Sequence, residues 1–328
     1  MSLLTRNARG VYPIAVTPFA DSGAIDYASV DRLLDFYLEC GAPGVTLLGV
    51  LGEANKLSEE ESLELTRHAL RRIGGRGDIV VGTNHTGFEN FHRFVSKVME
   101  AGASAVMIAP ARGLATEEQV CNFFGELVGT IGTGVPLVLQ DYPQNTGVYL
   151  SVDTMERLVK EFDSIKVIKH EEGSALRKVT RLRAQEQAGR RERVSILVGN
   201  SGIHLPQELH RGVDGANTGV AFPEMLVEVC ERFSSGKPEE GEDLYDLFLP
   251  LIRHEQQPGI GLAIRKEIFR RRGLIDSARV RSPGPRLNGD DHAELGRLLA
   301  RLDRKLRDSG EQQIISSYPV QALDSVRA

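Results

Sequence analysis

Eight short apolar runs recur along the chain, separated by stretches of helical periodicity. They cover 11–19 (VYPIAVTPF), 44–49 (GVTLLG), 79–83 (IVVGT), 105–110 (AVMIAP), 136–142 (PLVLQDY), 165–171 (IKVIKHE), 195–200 (SILVGN) and 215–220 (GANTGV). Most are continuous rather than alternating, as expected of parallel strands covered on both faces. Between them the period changes. Val30, Leu33, Leu34, Tyr37 and Leu38 follow helical spacing after Asp26, and Gly41 suits the position past the helix end. Ser58 with Glu61 predicts a capping box, and Thr116 caps a helix whose buried stripe runs from Val120 to Val128. Further helices are marked by Phe91, Phe94, Val95, Val98 and Met99, closed by Gly102, and by Met155, Leu158, Val159 and Phe162.

Each run begins roughly 30 residues after the last, the length of one strand–helix unit. Eight such units predict an α/β fold, a (β/α)8 TIM barrel over residues 10–222. A doubly wound sheet is the alternative, but TPFADSG after the first run holds no GxGxxG phosphate turn. From Pro223 the pattern is helical throughout, which predicts C-terminal helices packed on the barrel (223–307) and a loosely held tail (308–328).

Composition narrows the functions available. The chain has 328 residues and a net charge of −5, so no global basic field points to nucleic acid. Residues 265–307 hold 13 Lys+Arg against 6 Asp+Glu. That reads as a solvated arginine-rich helix face paired with acidic neighbours. No apolar run approaches the ~18 residues of a membrane span, and the polar start has no signal-peptide core. The expectation is a cytoplasmic protein. Cys40, Cys121 and Cys230 are too scattered for a disulfide framework, and the eight histidines show no metal-ligand spacing, so no metal is expected.

In a barrel the chemistry lies at the C-terminal ends of the strands. Period-2 alternation puts Ile165, Val167, Lys169 and Glu171 on one face, so Lys169 projects inward after apolar neighbours. Such an ammonium either pairs with a carboxylate at the barrel mouth or acts as a neutral amine that forms a Schiff base with a carbonyl substrate. Gly49-Val50-Leu51-Gly52-Glu53 ends the second run. Its glycines let backbone N–H groups approach a carboxylate, although glycine in such a turn is also commonly structural.

Taken together, PIAVTPF, GVLGEANKLSEEE, YPQNTG, VIKHEEGS and KEIFRRRGLIDSARVRSPGP resemble the dihydrodipicolinate synthase / N-acetylneuraminate lyase family of class I aldolases, over roughly residues 10–305. The resemblance implies a homo-oligomer (tetramer or dimer) and a small-molecule 2-oxo acid substrate. It implies no cofactor, and Lys169 as the Schiff-base lysine. It also exposes departures. Val50 and Leu51 replace the two threonines of the family's GTTGE, and Gln140 stands where the catalytic tyrosine is usual. Pro110-Ala111-Arg112 replaces the relay tyrosine's turn, and Asn145 replaces the arginine that binds a dicarboxylic substrate. Dihydrodipicolinate synthesis is therefore not expected. Gln140 does not titrate near neutral pH. Tyr142, one pleat nearer the mouth on the same parity, and His85, after the third run, are the candidate acid/base groups, though either also fits a packing or rim role. Gly49, Val50, Leu51, Gln140 and Asn217 are the candidate substrate-binding positions, with Asn84, Asn200 and Thr218 at neighbouring strand ends. The expected function is a Schiff-base lyase, aldolase or dehydratase. The alternative is a barrel that binds a 2-oxo acid without turnover.

Overall fold

The computed structural model describes residues 2–83, 87–173 and 176–315. Eight parallel strands follow one another around a barrel: β1 (Gly10–Pro13), β2 (Gly44–Leu47), β3 (Asp78–Gly82), β4 (Ala105–Ile108), β5 (Leu137–Asp141), β6 (Ile165–His170), β7 (Ser195–Val198) and β8 (Gly215–Thr218). Pairing runs β1-β8-β7-β6-β5-β4-β3-β2. The ring closes just past β1, where Ile14 bridges Thr46 and the Ala15 N–H donates to the Thr46 carbonyl at 2.9 Å. A closed ring leaves no unpaired sheet edge. The first apolar run is longer than its strand because the chain turns after Ala15, and Thr17 Oγ1 then donates to the Gly52 carbonyl at 2.6 Å.

Helices with readable ends wrap the ring: α1 (Tyr27–Glu39), α2 (Glu59–Ile73), α3 (Phe88–Glu100), α4 (Glu117–Ile131), α5 (Pro143–Thr146), α6 (Val152–Glu161), α7 (Leu176–Gln187) and α8 (Leu205–Leu209). Asp26 caps α1, and the capping boxes of Ser58 with Glu61 and Thr116 with Gln119 both form. Inside the ring, Tyr12, Val80, Ala105, Met107, Val138, Val167 and Leu197 make a packed core that Leu4 and Ala8 plug from below. This leaves no pore, so ligands can enter only at the upper mouth.

Parity along β6 departs from strict alternation. Leu137 pairs Ile165 but Val138 pairs Val167, so Lys166 is an extra residue on β6. Ile165 and Ile168 consequently pack with the outer core, while Val167 faces inward.

α9 (Pro223–Ser234), α10 (Pro238–Glu255), α11 (Gly261–Arg271) and α12 (Gly289–Ser309) share the outer hydrophobic core with the barrel helices. The expected solvated basic face lies on α12, where Arg297, Arg301, Arg304, Lys305 and Arg307 are exposed, and is not found on α11. Arg265, Lys266, Arg271 and the following Arg272 are all buried. Each guanidinium or ammonium is matched internally: Arg265 with Glu255, Arg271 with Glu267, Arg272 with Glu224, and Lys266 with Glu53. Arg272 also stacks between Phe36 and Phe222. The start of the expected tail is held as well. Glu311 accepts a forked pair of hydrogen bonds from Arg232 at 2.8 and 2.9 Å, and Ile315 is buried.

Candidate active site

The inward faces of β5 and β6 carry the polar cluster above the apolar core. Gln140 and Lys169 are register partners one pleat above Val138 and Val167, and Tyr142 and Glu171 follow at the strand ends. Lys169 is 3% exposed and Glu171 7%. Lys169 Nζ lies 2.8 Å from Glu171 Oε1, and Gln140 Nε2 donates to the same oxygen at 2.6 Å. An amine held this close to a carboxylate can lose its proton to it without crossing solvent.

The loop after β7 holds the Glu171 backbone and makes room for its side chain. Asn200 Nδ2 donates to the Glu171 carbonyl at 2.6 Å. Gly199 leaves the space Glu171 occupies, since a Cβ there would stand 2.1 Å from Glu171 Cγ. Asn200 and Ser201 both adopt left-handed backbone, as do Leu48 and Glu53 in the loop after β2. These four are the described non-glycine residues with positive φ. All lie at the C-terminal mouth, where local strain of order 1–2 kcal/mol each is stored.

A cavity of about 570 Å³ opens over this cluster. Lys169, Glu171, Gln140 and Tyr142 line one side, and Val50, Leu51 and Ile14 line another. Leu51 can lie over β8 only because residue 219 is glycine; a Cβ there would come within 1.9 Å of Leu51 Cδ1. Gly49 sits behind, tight against Ile14, and shapes the loop rather than the cavity wall. The Tyr142 hydroxyl makes no hydrogen bond to a described residue. Burial, then the nearby Glu171 charge, raise its pKa, and Arg265 opposes them, so the phenol is neutral near pH 7.

Asn217 falls outside the cavity lining. Asn217 is 1% exposed beneath the cavity, its Nδ2 donating to Thr46 Oγ1 at 3.1 Å and its Oδ1 unpaired. It supports the floor and does not line the cavity. His85 and Asn84 lie outside the described residues. Asn145 is engaged by Arg112 Nη2 at 2.9 Å away from the cavity lining.

The structure adds a wall that the sequence reading missed. The corner between α10 and α11 supplies Glu255, Gln256, Gln257 and Arg265. Arg265 Nη2 donates to Ser201 Oγ at 2.6 Å, and Glu255 Oε2 accepts from the Ala221 N–H at 3.1 Å. A usable signal was present: GIGLAI runs apolar straight into Arg265, and a helix buried on all sides takes its charges inside with it. Among the described residues, no group of three or more His, Cys, Asp or Glu is placed to hold a metal ion, and no helix is long and apolar enough to cross a membrane.

Comparison with known proteins places this geometry in context. The profile of the dihydrodipicolinate synthetase family matches residues 7–302. The L-2-keto-3-deoxyarabonate dehydratase of Azospirillum brasilense is 31% identical over 91% of this chain and 96% of its own length. The 4-hydroxy-tetrahydrodipicolinate synthase of Bacillus subtilis (strain 168) is 25% identical over 90% of this chain and all of its own. A solved structure of a dihydrodipicolinate synthase from Rhodopseudomonas palustris superposes with a TM-score of 0.90 at 41% identity, covering 92% of this chain and 100% of that one.

Proposed function

The chain belongs to the dihydrodipicolinate synthetase family and is a class I, Schiff-base-forming lyase; we propose that it dehydrates a 2-oxo acid bearing a hydroxyl on C4, with Lys169 as the Schiff-base lysine. One observation carries the choice of dehydration. A carboxylate, Glu171, stands 2.8 Å from Lys169 Nζ, and a non-titrating amide, Gln140, stands where an aldolase of this family uses tyrosine.

The proposed steps balance as follows. Glu171 takes a proton from Lys169, and the free amine adds to the C2 carbonyl of the substrate. Glu171 returns the proton to the departing oxygen, water leaves, and an iminium remains. The iminium draws electrons from C3, so Glu171 next removes a C3 proton to give an enamine. The enamine electron pair then expels the C4 hydroxyl, which leaves as water with the Tyr142 phenolic proton. Glu171 reprotonates Tyr142. Hydrolysis of the unsaturated iminium frees Lys169. Cleavage between C3 and C4 would instead need a base on the C4 hydroxyl, and Gln140 cannot serve as one. The N–H groups of the loop at Val50 and Leu51 are assigned to the C1 carboxylate, with Gly49 shaping the turn behind them, and the apolar side chains of Val50 and Leu51 to excluding water. Similarity to a relative named as a dehydratase over nearly the whole chain supports this reading.

The test uses three measurements. Borohydride reduction with pyruvate should give an adduct on Lys169, absent in Lys169→Ala. L-2-keto-3-deoxyarabonate should lose water without releasing pyruvate; pyruvate release would reassign the protein to cleavage. Adduct formation without turnover of any C4-hydroxylated 2-oxo acid would support a binding protein instead. Light scattering checks the proposed homo-oligomer, which a monomeric mass would refute.

A further inference from the structure

The reacting groups come from β5 and β6, yet two charged side chains of the cavity wall come from the α10–α11 corner. Glu255 is 1% exposed and Arg265 6%. Arg265 Nε lies 3.5 Å from Glu255 Oε2 without forming a hydrogen bond, and Glu255 Oε1 has no hydrogen-bond partner among the described residues. A buried ion pair adds little to stability over apolar packing of the same volume. Unmet valences in such a pair point to a partner that arrives from the cavity.

Charge counting says what that partner is. Lys169 is matched by Glu171, and Arg265 by Glu255. No described cation of the wall is left over for a second carboxylate. A hydroxyl group both donates and accepts, so it can give its proton to Glu255 and accept from Arg265. A carboxylate can only accept. It would meet Arg265 but face Glu255 as a like charge in a site of low dielectric. Ser201 ties this wall to the reacting groups: its hydroxyl takes the Arg265 hydrogen bond, while the adjacent Asn200 holds the Glu171 carbonyl.

We propose that Glu255 and Arg265 form the specificity site for the distal end of the substrate, accepting an uncharged hydroxylated terminus and rejecting 2-oxo acids with a second carboxylate. The inference rests on reading this cavity as a 2-oxo acid site.

Borohydride trapping on the alkaline side of the Glu255 titration, at about pH 9, with three probes tests it: pyruvate, which has no distal group, and 5-hydroxy-2-oxopentanoate and 2-oxoglutarate, which share a chain length and differ at C5. The native protein should reach half-maximal trapping with the hydroxylated probe at a concentration about tenfold or more below that for 2-oxoglutarate. Glu255→Gln keeps the size and the Ala221 hydrogen bond but removes the repelling charge. It should shrink that preference about tenfold or invert it. Arg265→Gln should weaken the hydroxylated probe about tenfold or more. Pyruvate trapping should be the same in all three proteins, which also reports an intact fold. An unchanged preference in Glu255→Gln overturns the proposal, as does an unchanged hydroxylated probe in Arg265→Gln. A parallel loss of pyruvate trapping also overturns it, because the pair would then serve the Schiff-base chemistry or the fold. Failure of the native protein to trap pyruvate is a different result: it removes the 2-oxo acid reading itself.

Discussion

Lys266 is the most informative residue to remove. It is fully buried on α11, and its Nζ donates to the Thr17 carbonyl at 2.8 Å, to Glu53 Oε1 at 2.5 Å and to the Arg279 carbonyl at 2.8 Å. The ammonium also stands 4.6 Å from the centre of the Phe19 ring. Lys266→Met keeps much of the side-chain volume but orphans two carbonyls and half of a carboxylate that is 1% exposed. Breaking a buried pair from one side costs about 3–5 kcal/mol. Glu53 Oε2 still has Lys56 Nζ and the Arg281 N–H, each at 2.9 Å, which places the expected loss near the lower end, ~3 kcal/mol. With unfolding entropy of about 2.1 cal/mol/K per residue, a chain of 328 residues should lose roughly 4–5 °C in Tm. The effect should reach the site too. Glu53 directly follows Val50–Gly52 with φ 54°, so its release loosens the loop assigned to the substrate carboxylate. Denaturant unfolding and the pyruvate dependence of trapping measure the two effects. Adding Glu53→Gln, which neutralises the orphaned carboxylate, should restore part of the stability. A single variant within 1 kcal/mol of the native protein, or a double variant worse than the sum of the two singles, would refute this account.

Glu171→Gln should form the pyruvate adduct more slowly and, once it is formed, exchange the pyruvate C3 protons for deuterium about 100-fold more slowly, as followed by proton NMR; unchanged exchange would acquit Glu171 as the base. Gly219→Ala should force Leu51 into the cavity and raise the pyruvate concentration needed for half-maximal trapping several-fold; no change would mean that Leu51 finds another place. Burial pushes the Glu255 carboxyl up to about 7 from an ordinary 4.5, despite the opposing Arg265. The folded state therefore holds this proton more tightly than the unfolded chain. Its contribution is complete below about pH 4.5 and is lost as pH rises towards 7, so unfolding midpoints should fall over that window. Glu255→Gln should flatten that part of the profile, and equal slopes in the two proteins would refute the assignment.

Much of this architecture is written in local patterns. The eight apolar runs became eight strands because a strand covered on both faces has no choice of composition. The caps at Asp26, Ser58 and Thr116 formed because their partners lie three residues away. Lys169 and Gln140 are legible as inward-facing by counting pleats. What alternation could not give was Ile165, where an added residue at Lys166 resets the count below the lysine. Non-local contacts were hidden for a stronger reason. Arg265 reads as one more arginine in a basic helix, and only its three-dimensional proximity to Ser201, 64 residues away in sequence, makes it part of the cavity. Asn217 faced the right way but one layer too deep, because strand parity fixes side and not height.

Arg265 lies 96 positions beyond Lys169, and β1 cannot form its ladder until β8 exists. During synthesis, at about 5–20 residues per second, the segment bearing the lysine therefore emerges several seconds before the wall that would select its substrate. The ring is open at first, and the amine is made before anything guards it. Chemistry is laid down early and discrimination last, and the same late helix that brings Arg265 also brings Lys266 to Glu53, so capture of a keto acid is completed only when the means to choose one arrives.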